Sequence, residues 1–207
     1  TTPEAVVMIV TNPLDLMVGL ALQRTGFPRA RIMGMAGVLD SARLRAFLAE
    51  RLQARPADIQ AVVLGSHGDL MVPLRSSLTV KGQPVADLLR AEELEGILQR
   101  AKDGGAEIVS LLKSGSAFYA PASGVVEMAG AILQNRHAVL PVCAWLEGEY
   151  GLRDVCIGVP AQLGSAGIER VVELPLLPEE RAALHASAKQ VGEGLKSLAA
   201  LQAAAQK

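Results

Sequence analysis

Apolar residues in the first third of the chain form short unbroken runs that alternate with stretches of helical periodicity. Residues 5–10 (AVVMIV) form one such run, which is typical of a strand covered on both faces in a parallel sheet. Asn12-Pro13 follows this strand, and the pattern then predicts a helix over residues 14–25 that ends at Gly26. A second short strand is expected over residues 32–35. This alternation indicates α/β units.

The next segment repeats this organisation and ends at a histidine. Apolar residues recur at helical spacing between about residues 40 and 52, and they give the predicted helix a core face (Leu44, Phe47, Leu48 and Leu52). Residues 61–64 (AVVL) form a short buried strand. The strand leads into Gly65-Ser66-His67-Gly68-Asp69, where the two glycines allow a sharp turn and a close approach by a ligand.

The middle of the chain combines extended segments with two helices. Residues 72–80 are expected to be extended, and residues 81–84 (KGQP) form a turn. A long helix is predicted over residues 91–112, with an interruption near Gly104-Gly105. A further helix is predicted over residues 122–134.

The last third of the chain has the pattern of antiparallel structure. Residues 138–147 and 154–162 are strand-like and flank the glycine-containing loop 148–151, which predicts a β-hairpin. Symmetry about that loop places Cys143 opposite Cys156. A disulfide between them is geometrically conceivable, but a packed pair of free thiols is favoured in a reducing compartment.

A third strand over residues 168–174 and a helix from Pro178 to about Leu201 complete the predicted elements. The predicted fold class is α+β, with α/β units before about residue 66 and an antiparallel sheet with packed helices after it. No internal repeat or low-complexity linker appears between these two regions.

Composition excludes several classes of function. Half of the 207 residues are apolar, 20% are charged and the net charge is −1, so no nucleic-acid partner is expected. No apolar run reaches the roughly 18 residues of a membrane span, so no membrane partner is expected either. The first residues carry neither the basic segment nor the cleavage-like site of a signal peptide. With only two cysteines, the expected location is the cytoplasm.

Three candidate residues, Asp40, Arg43 and His67, could together bind a carboxylic acid and transfer a proton. Histidine titrates near neutral pH and is the usual general base, and a neighbouring carboxylate orients its ring. Asp40 and Arg43 share one face of a first helical turn, and an arginine fork can bind a substrate carboxylate through two hydrogen bonds. The alternative interpretation is a structural histidine and a local ion pair at an acidic helix start. The histidines at 67, 137 and 185 show no metal-binding spacing, so no metal is expected.

Several motifs resemble those of the malate and lactate dehydrogenase family, in the same order and at that family's spacing. They are Val10-Thr11-Asn12-Pro13-Leu14-Asp15, Leu39-Asp40-Ser41-Ala42-Arg43, Gly65-Ser66-His67-Gly68-Asp69, Ser116-Ala117-Phe118-Tyr119-Ala120-Pro121-Ala122 and Leu146-Glu147-Gly148-Glu149-Tyr150-Gly151. The last two, together with Met71-Val72-Pro73, resemble malate dehydrogenases more than lactate dehydrogenases.

The resemblance implies catalytic roles for the three candidate residues. His67 resembles the general acid/base that takes the hydroxyl proton as hydride leaves for the nicotinamide of NAD. Asp40 resembles the carboxylate partner of that histidine, and Arg43 resembles the fork that holds the substrate's carboxylate.

The resemblance also implies where the cofactor lies. Asn12 resembles the residue that contacts both substrate and NAD, and the backbone of Val10, Thr11 and Asn12 is expected near the nicotinamide. A cis bond between Asn12 and Pro13 is implied as well, since X-Pro bonds tolerate the cis form.

The sequence departs from the family pattern in two places and lacks one of its parts. Leu70 stands where Thr or Ser is usual, and Leu44 stands where an aromatic residue is common; we interpret both as packing changes. No G-x-G-x-x-G follows a strand. The chain therefore resembles the carboxyl-terminal part of the family, with residues 1–36 as the remnant end of a parallel Rossmann sheet and residues 37–207 as the substrate domain.

The resemblance implies an NAD-dependent oxidoreductase that interconverts malate and oxaloacetate. The isolated chain is expected to be inactive, because the missing region supplies most of the cofactor contacts in this family. One alternative is a non-catalytic, self-associating domain; another is a fragment of a lactate or other 2-hydroxy acid dehydrogenase. A homo-oligomer, either dimer or tetramer, is expected because loss of a Rossmann half would expose apolar surface.

Overall fold

The computed structural model describes residue 2 and residues 4–205, which form ten strands and five α-helices. The strands are β1 (Val7–Ile9), β2 (Ile32–Gly34), β3 (Ile59–Gln60), β4 (Val63–Gly65), β5 (Met71–Pro73), β6 (Thr79–Val80), β7 (Gln83–Pro84), β8 (Ala138–Glu147), β9 (Arg153–Gly164) and β10 (Gly167–Val171). The α-helices are α1 (Leu14–Thr25), α2 (Gly37–Leu52), α3 (Ala91–Leu112), α4 (Tyr119–Leu133) and α5 (Pro178–Ala205). The α+β class expected from the sequence is confirmed.

The hairpin of β8 and β9 joins the other strands into one seven-stranded sheet. The order is β1-β2-β8-β9-β4-β5, and β10 pairs with β9. Only β1 and β2 are parallel in this sheet. Single antiparallel bridges join the hairpin to its neighbours, Gly34 to Cys143 on one side and Gly65 to Gly158 on the other. The parallel strands and the antiparallel region thus form one sheet, and the division between residues 36 and 37 stays a prediction.

Each helix buries an apolar stripe against the sheet or against another helix. Leu184, Ala188 and Val191 of α5 pack on the hairpin near its turn, and Met128 and Ala131 of α4 pack on its far part. A separate cluster joins α2 to α3 through six buried residues: Leu44, Leu48, Ala49, Leu94, Leu98 and Ala101. Side chains from α1, including Val18, meet both cysteines. Burial of this kind contributes about 25 cal/mol per Å² of apolar surface and is the main favourable term in folding.

Helix α1 spans the predicted residues, whereas α2 and α3 differ from prediction. Helix α2 begins at Gly37, three residues before the predicted start, so Asp40 lies buried inside the first turn instead of at an exposed helix end. The expected interruption of α3 near Gly104 is wrong, because the helix runs unbroken from Ala91 to Leu112. Gly104 packs beneath the Arg43 side chain, where a Cβ atom would lie 2.4 Å from its Cδ.

The predicted pairing of Cys143 with Cys156 is wrong by two residues. Cys143 pairs with Gly158 and Cys156 pairs with Trp145, because the connection is longer than predicted and the register shifts between Leu146 and Glu147. A shift of two residues leaves both thiols on the same face of the hairpin. Both are free and buried, and burial raises the pKa of the Cys143 thiol, so it stays protonated.

The extended segments are shorter than the sequence suggests. Residues 72–80 contain the end of β5, a 3-10 turn over Arg75–Ser77 and β6, and β10 ends at Val171. Among the described residues, no helix is both long and apolar enough to cross a bilayer.

The bridge between Gly65 and Gly158 can be tested by one substitution. A Cβ atom at residue 158 would lie 2.5 Å from the Gly65 carbonyl oxygen, so Gly158→Ala forces two backbones apart and is expected to lower the free energy of unfolding by about 1–3 kcal/mol. Urea unfolding measures this change. Gly192→Ala is the control: no atom lies within 4 Å of a Cβ there, so the variant should match or exceed the parent in stability. Equal unfolding midpoints for both variants would contradict the close approach.

Candidate active site

The segment of residues 65–69 forms a tight loop between β4 and β5, here called the histidine loop. Gly65 and Gly68 have φ angles of 86° and 108°, a region that side chains with a Cβ rarely occupy. The Met71 amide donates to the Gly68 carbonyl at 3.0 Å and closes the turn. The Ser66 amide donates to the Ser187 hydroxyl of α5 at 2.9 Å. The loop is therefore fixed at its base by the sheet and at its side by a helix.

His67 meets a buried carboxylate at the end of this loop. Its Nδ1 lies 2.9 Å from Oδ2 of Asp40, whose side chain is 2% exposed. The other oxygen, Oδ1, faces Nη1 of Arg43 at 3.5 Å, and that nitrogen also donates to the Ala101 carbonyl of α3 at 3.4 Å. Because α2 begins at Gly37, Asp40 sits between the ring and the guanidinium and contacts both.

The charges around His67 favour its protonated form. The hydrogen bond to Asp40 is the largest cause that raises the pKa of His67 above its ordinary value. Burial acts in the opposite direction, as does the positive charge of Arg43, while the negative charges of Asp40 and Asp15 add to the increase. The imidazole thus has the environment of a proton carrier that is held in one orientation.

The residues expected near the nicotinamide lie at the exposed carboxyl end of β1. Val10, Thr11 and Asn12 are exposed, and the bond from Asn12 to Pro13 is cis. Asn12 and His67 line one cavity of about 480 Å³, together with residues of α1 and α5 that include Leu16, Gln190 and Gly194. In open α/β sheets ligands bind beside the carboxyl ends of strands, and this segment lies at such an end.

Arg43 does not line the cavity that His67 and Asn12 share. It lines a second, apolar cavity of about 410 Å³ between α2, α3 and α4. The reason is the contact with α3: the arginine stem lies across Gly104, which has no side chain to displace it. The structure thus joins Asp40 directly to both His67 and Arg43, and it brings Asn12 to His67 but not to Arg43.

Four residues outside the predicted candidates also shape the site. Asp15 and Ser187 hold the histidine loop through hydrogen bonds with its Ser66, and Gly104 accommodates Arg43. An acidic residue in a first helical turn is common because the helix dipole favours it, so Asp15 carries no distinctive signal. The sequence pattern indicates Gly104 only as an interruption of a long helix, where glycine costs about 1 kcal/mol relative to Ala, and not as a residue that accommodates Arg43.

The two departures from the family pattern lie in different environments. Leu44 is fully buried in the cluster between α2 and α3, in agreement with a packing change. Leu70 lines the cavity of His67. The other two histidines make structural contacts: His137 pairs with Glu169 and His185 with the Tyr150 carbonyl oxygen, both at 2.9 Å.

Comparison with known proteins identifies the family. Residues 37–202 match the lactate/malate dehydrogenase, alpha/beta C-terminal domain. This chain belongs to the lactate/malate dehydrogenase family. A malate dehydrogenase of Nostoc punctiforme is 56% identical over 195 residues, which cover 94% of this chain and 60% of the relative. One from Roseiflexus castenholzii is 49% identical, covering 95% and 64%.

Solved structures of the family superpose closely on this fold. A malate dehydrogenase from Salinibacter ruber matches with a TM-score of 0.95 and 45% identity, covering 98% of this chain and 66% of that one. A lactate dehydrogenase from Eimeria maxima, solved with NADH and oxamate, matches with a TM-score of 0.94 and 37% identity, covering 100% and 64%. The chain spans about 60% of the length of three malate dehydrogenases to which it is similar, from Nostoc punctiforme, another Nostoc strain and Synechocystis.

The raised pKa of His67 predicts how the stability of this chain depends on pH. The folded state binds the proton more tightly than the unfolded chain, whose histidine titrates near 6.5. The added stability is therefore complete below that pH and is lost as the pH rises through the folded-state value. His67→Gln should cost more free energy of unfolding at about pH 6 than at about pH 9.

Urea unfolding at several pH values measures this difference. The control is Asp40→Asn, because the partner's charge is then absent and His67→Gln in that background should show a much weaker pH dependence. A cost of His67→Gln that is the same at every pH would contradict the charged pair.

Proposed function

We propose that these residues form the substrate side of an NAD-dependent malate dehydrogenase, which interconverts malate and oxaloacetate. The observation that carries the proposal is the 2.9 Å contact between His67 and Asp40 at a cavity that Asn12 also lines. The malate dehydrogenases reported above, at 49% and 56% identity, support the choice of a dicarboxylate substrate.

His67 would move the proton in this reaction. With Nδ1 bonded to Asp40, the other ring nitrogen, Nε2, is left to accept the proton of the malate hydroxyl. NAD, when bound, would supply the acceptor for the hydride that leaves the carbon bearing this hydroxyl. The imidazolium that forms is stabilised by the Asp40 carboxylate, and in the reverse direction it returns its proton to the carbonyl oxygen of oxaloacetate.

Arg43 would bind a carboxylate of the substrate. Asp40 contacts the His67 ring with one oxygen and the Arg43 guanidinium with the other, so one carboxylate group links the fork to the ring although the two side chains line different cavities. A guanidinium presents parallel donors to a carboxylate, which fixes the substrate's orientation as well as its charge.

Val10, Thr11 and Asn12 would hold the nicotinamide end of NAD, because they are exposed beside the cavity of His67. The sequence has no glycine-rich phosphate loop after a strand. We infer that the pyrophosphate and adenosine contacts come from residues other than these 207, and that the 207-residue chain alone is inactive because hydride transfer needs both reactants held in close geometry.

A second candidate is a lactate or other 2-hydroxy acid dehydrogenase. Lactate dehydrogenases from Cryptosporidium parvum and Eimeria maxima resemble this fold with TM-scores between 0.90 and 0.94. The same histidine, carboxylate and arginine would serve either substrate class, so the ratio of activity on oxaloacetate and on pyruvate distinguishes the two.

The cytoplasmic location stays a prediction.

Turnover of oxaloacetate with NADH tests the proposal. The 207-residue chain should show none, and a chimera that adds the preceding segment of the Nostoc punctiforme relative should be active. His67→Gln in the chimera should lower kcat by about 10²–10⁴-fold, the usual contribution of a general acid/base.

The matched control is His137→Gln, which removes a histidine that also pairs with a carboxylate but lies outside the candidate site. Turnover by the 207-residue chain itself would overturn the inactive assignment. A chimera that loses no activity with His67→Gln would overturn the role of the histidine, and preference for pyruvate would favour the second candidate.

We also propose that the chain forms a homo-oligomer through α4 and the end of α3. Several large apolar side chains are exposed there, among them Leu111, Tyr119, Val126 and Leu133. Large apolar side chains exposed on neighbouring elements favour association. A non-catalytic, self-associating domain is the alternative that this surface supports if no activity is found.

Light scattering at tens of micromolar should report a dimer or tetramer, and Val126→Glu should shift it toward the monomer because a buried carboxylate is costly at an apolar interface. Leu201→Glu places the same charge on a similarly exposed residue of α5 and should leave the mass unchanged. A monomer at all concentrations would contradict the proposal.

A further inference from the structure

A second buried carboxylate, Asp15, lies beside the histidine loop and has no part in the reaction proposed above. Its side chain is in the first turn of α1, three residues after Asn12, and it is 5% exposed. A buried carboxylate is costly unless hydrogen bonds or opposite charges compensate it. Its partners therefore indicate what the residue does.

Two hydrogen bonds connect the Asp15 carboxylate to the histidine loop. One oxygen, Oδ2, accepts a 2.6 Å hydrogen bond from the Ser66 hydroxyl and a 3.3 Å bond from the His67 amide. The thiol of Cys143, a weak donor, also interacts with the carboxylate. Among the described residues no nitrogen or oxygen pairs with Oδ1, which is buried. A carboxylate left partly unsatisfied in this way is unusual for a purely structural contact, because each missing bond costs about 1–3 kcal/mol.

The charges around His67 come from three elements. Helix α2 contributes Asp40 and Arg43, α1 contributes Asp15, and the loop itself contributes Asp69, which is exposed. Helix α5 contributes neutral groups, Ser187 and Gln190. Asp15 is therefore the one carboxylate besides Asp40 that is both buried and close to the ring among the described residues.

We propose that Asp15 is a positioning residue for His67. Asp15 holds the histidine loop through Ser66 and the His67 amide, and it adds a second negative charge beside the imidazolium. This inference rests on the acid/base role proposed for His67. It extends that role because Asp15 follows the segment that would contact NAD, so one side chain connects the cofactor end of β1 to the proton carrier.

The negative charge of Asp15 distinguishes this proposal from one in which Asp15 is a tether, a residue that only holds the loop by hydrogen bonds. An amide at residue 15 keeps the size of the side chain and one acceptor oxygen for Ser66, but it removes the charge. A tether alone would leave the titration of His67 unchanged. If the charge of Asp15 acts on the ring, removing that charge should lower the pKa of His67, because the negative charge of Asp15 is one of the causes that raise this pKa.

The experiment is an NMR titration of the 207-residue chain labelled at the histidine rings, for the parent, Asp15→Asn, Asp40→Asn and Ser66→Ala. We expect the pKa of His67 to fall in Asp15→Asn, and to fall further in Asp40→Asn, which removes the nearer carboxylate. Ser66→Ala should shift the His67 amide resonance but change the ring pKa less than Asp15→Asn does, because it removes a hydrogen bond and leaves the charge.

The outcomes separate this inference from the proposed function. A parent chain whose His67 titrates at its ordinary value would contradict the acid/base environment itself. A raised pKa in the parent that is unchanged in Asp15→Asn would overturn the role of Asp15 and leave that of His67 intact.

A measurement on the parent chain alone applies if Asp15→Asn does not fold. Burial raises the pKa of Asp15, so its carboxyl carbon should titrate above the ordinary range for aspartate. The ring resonances of His67 should show an inflection at the same pH. Ring resonances that show no inflection there would overturn the proposal.

Discussion

The central hairpin is the constraint on which the site depends. Strands β8 and β9 pair along almost their whole length, and both segments that carry candidate residues attach to this hairpin through single backbone bridges. On one side, Gly34 meets Cys143 and positions the end of β2, from which α2 and Asp40 follow. On the other side, Gly65 meets Gly158 and positions the histidine loop. Glycine is needed at the second bridge because the backbones approach too closely for a Cβ.

Two buried carboxylates then determine the electrostatics of His67. Each would be costly to bury alone, and each is compensated by groups that other elements supply. Asp40 is compensated by the imidazole and by Arg43, and Asp15 by the Ser66 hydroxyl and the His67 amide. Because these partners belong to different helices and loops, the charged form of His67 is stabilised only when the hairpin, α1 and α2 have come together.

The fold was predictable wherever local periodicity decides structure. The bounds of α1 follow from an Asn-Pro turn and a glycine stop, and the histidine loop follows from glycines after an apolar run. Predictions failed where long-range packing decides. Gly104 does not interrupt α3, because packing under Arg43 outweighs its low helix propensity. The hairpin register differs by two residues because its connection, which local symmetry does not specify, is longer than predicted.

The sequence by itself determined the chemical groups: a histidine between glycines, a carboxylate and an arginine three residues apart, and an asparagine before a proline. These identities, and the family to which they point, depend only on residue type and spacing along the chain. The tertiary structure decided which groups meet. It joined His67 to Asp40 over 27 residues and to Asp15 over 52, and it placed Arg43 in a separate cavity. Periodicity contains no information on such contacts, because they arise from sheet register and helix packing between distant segments.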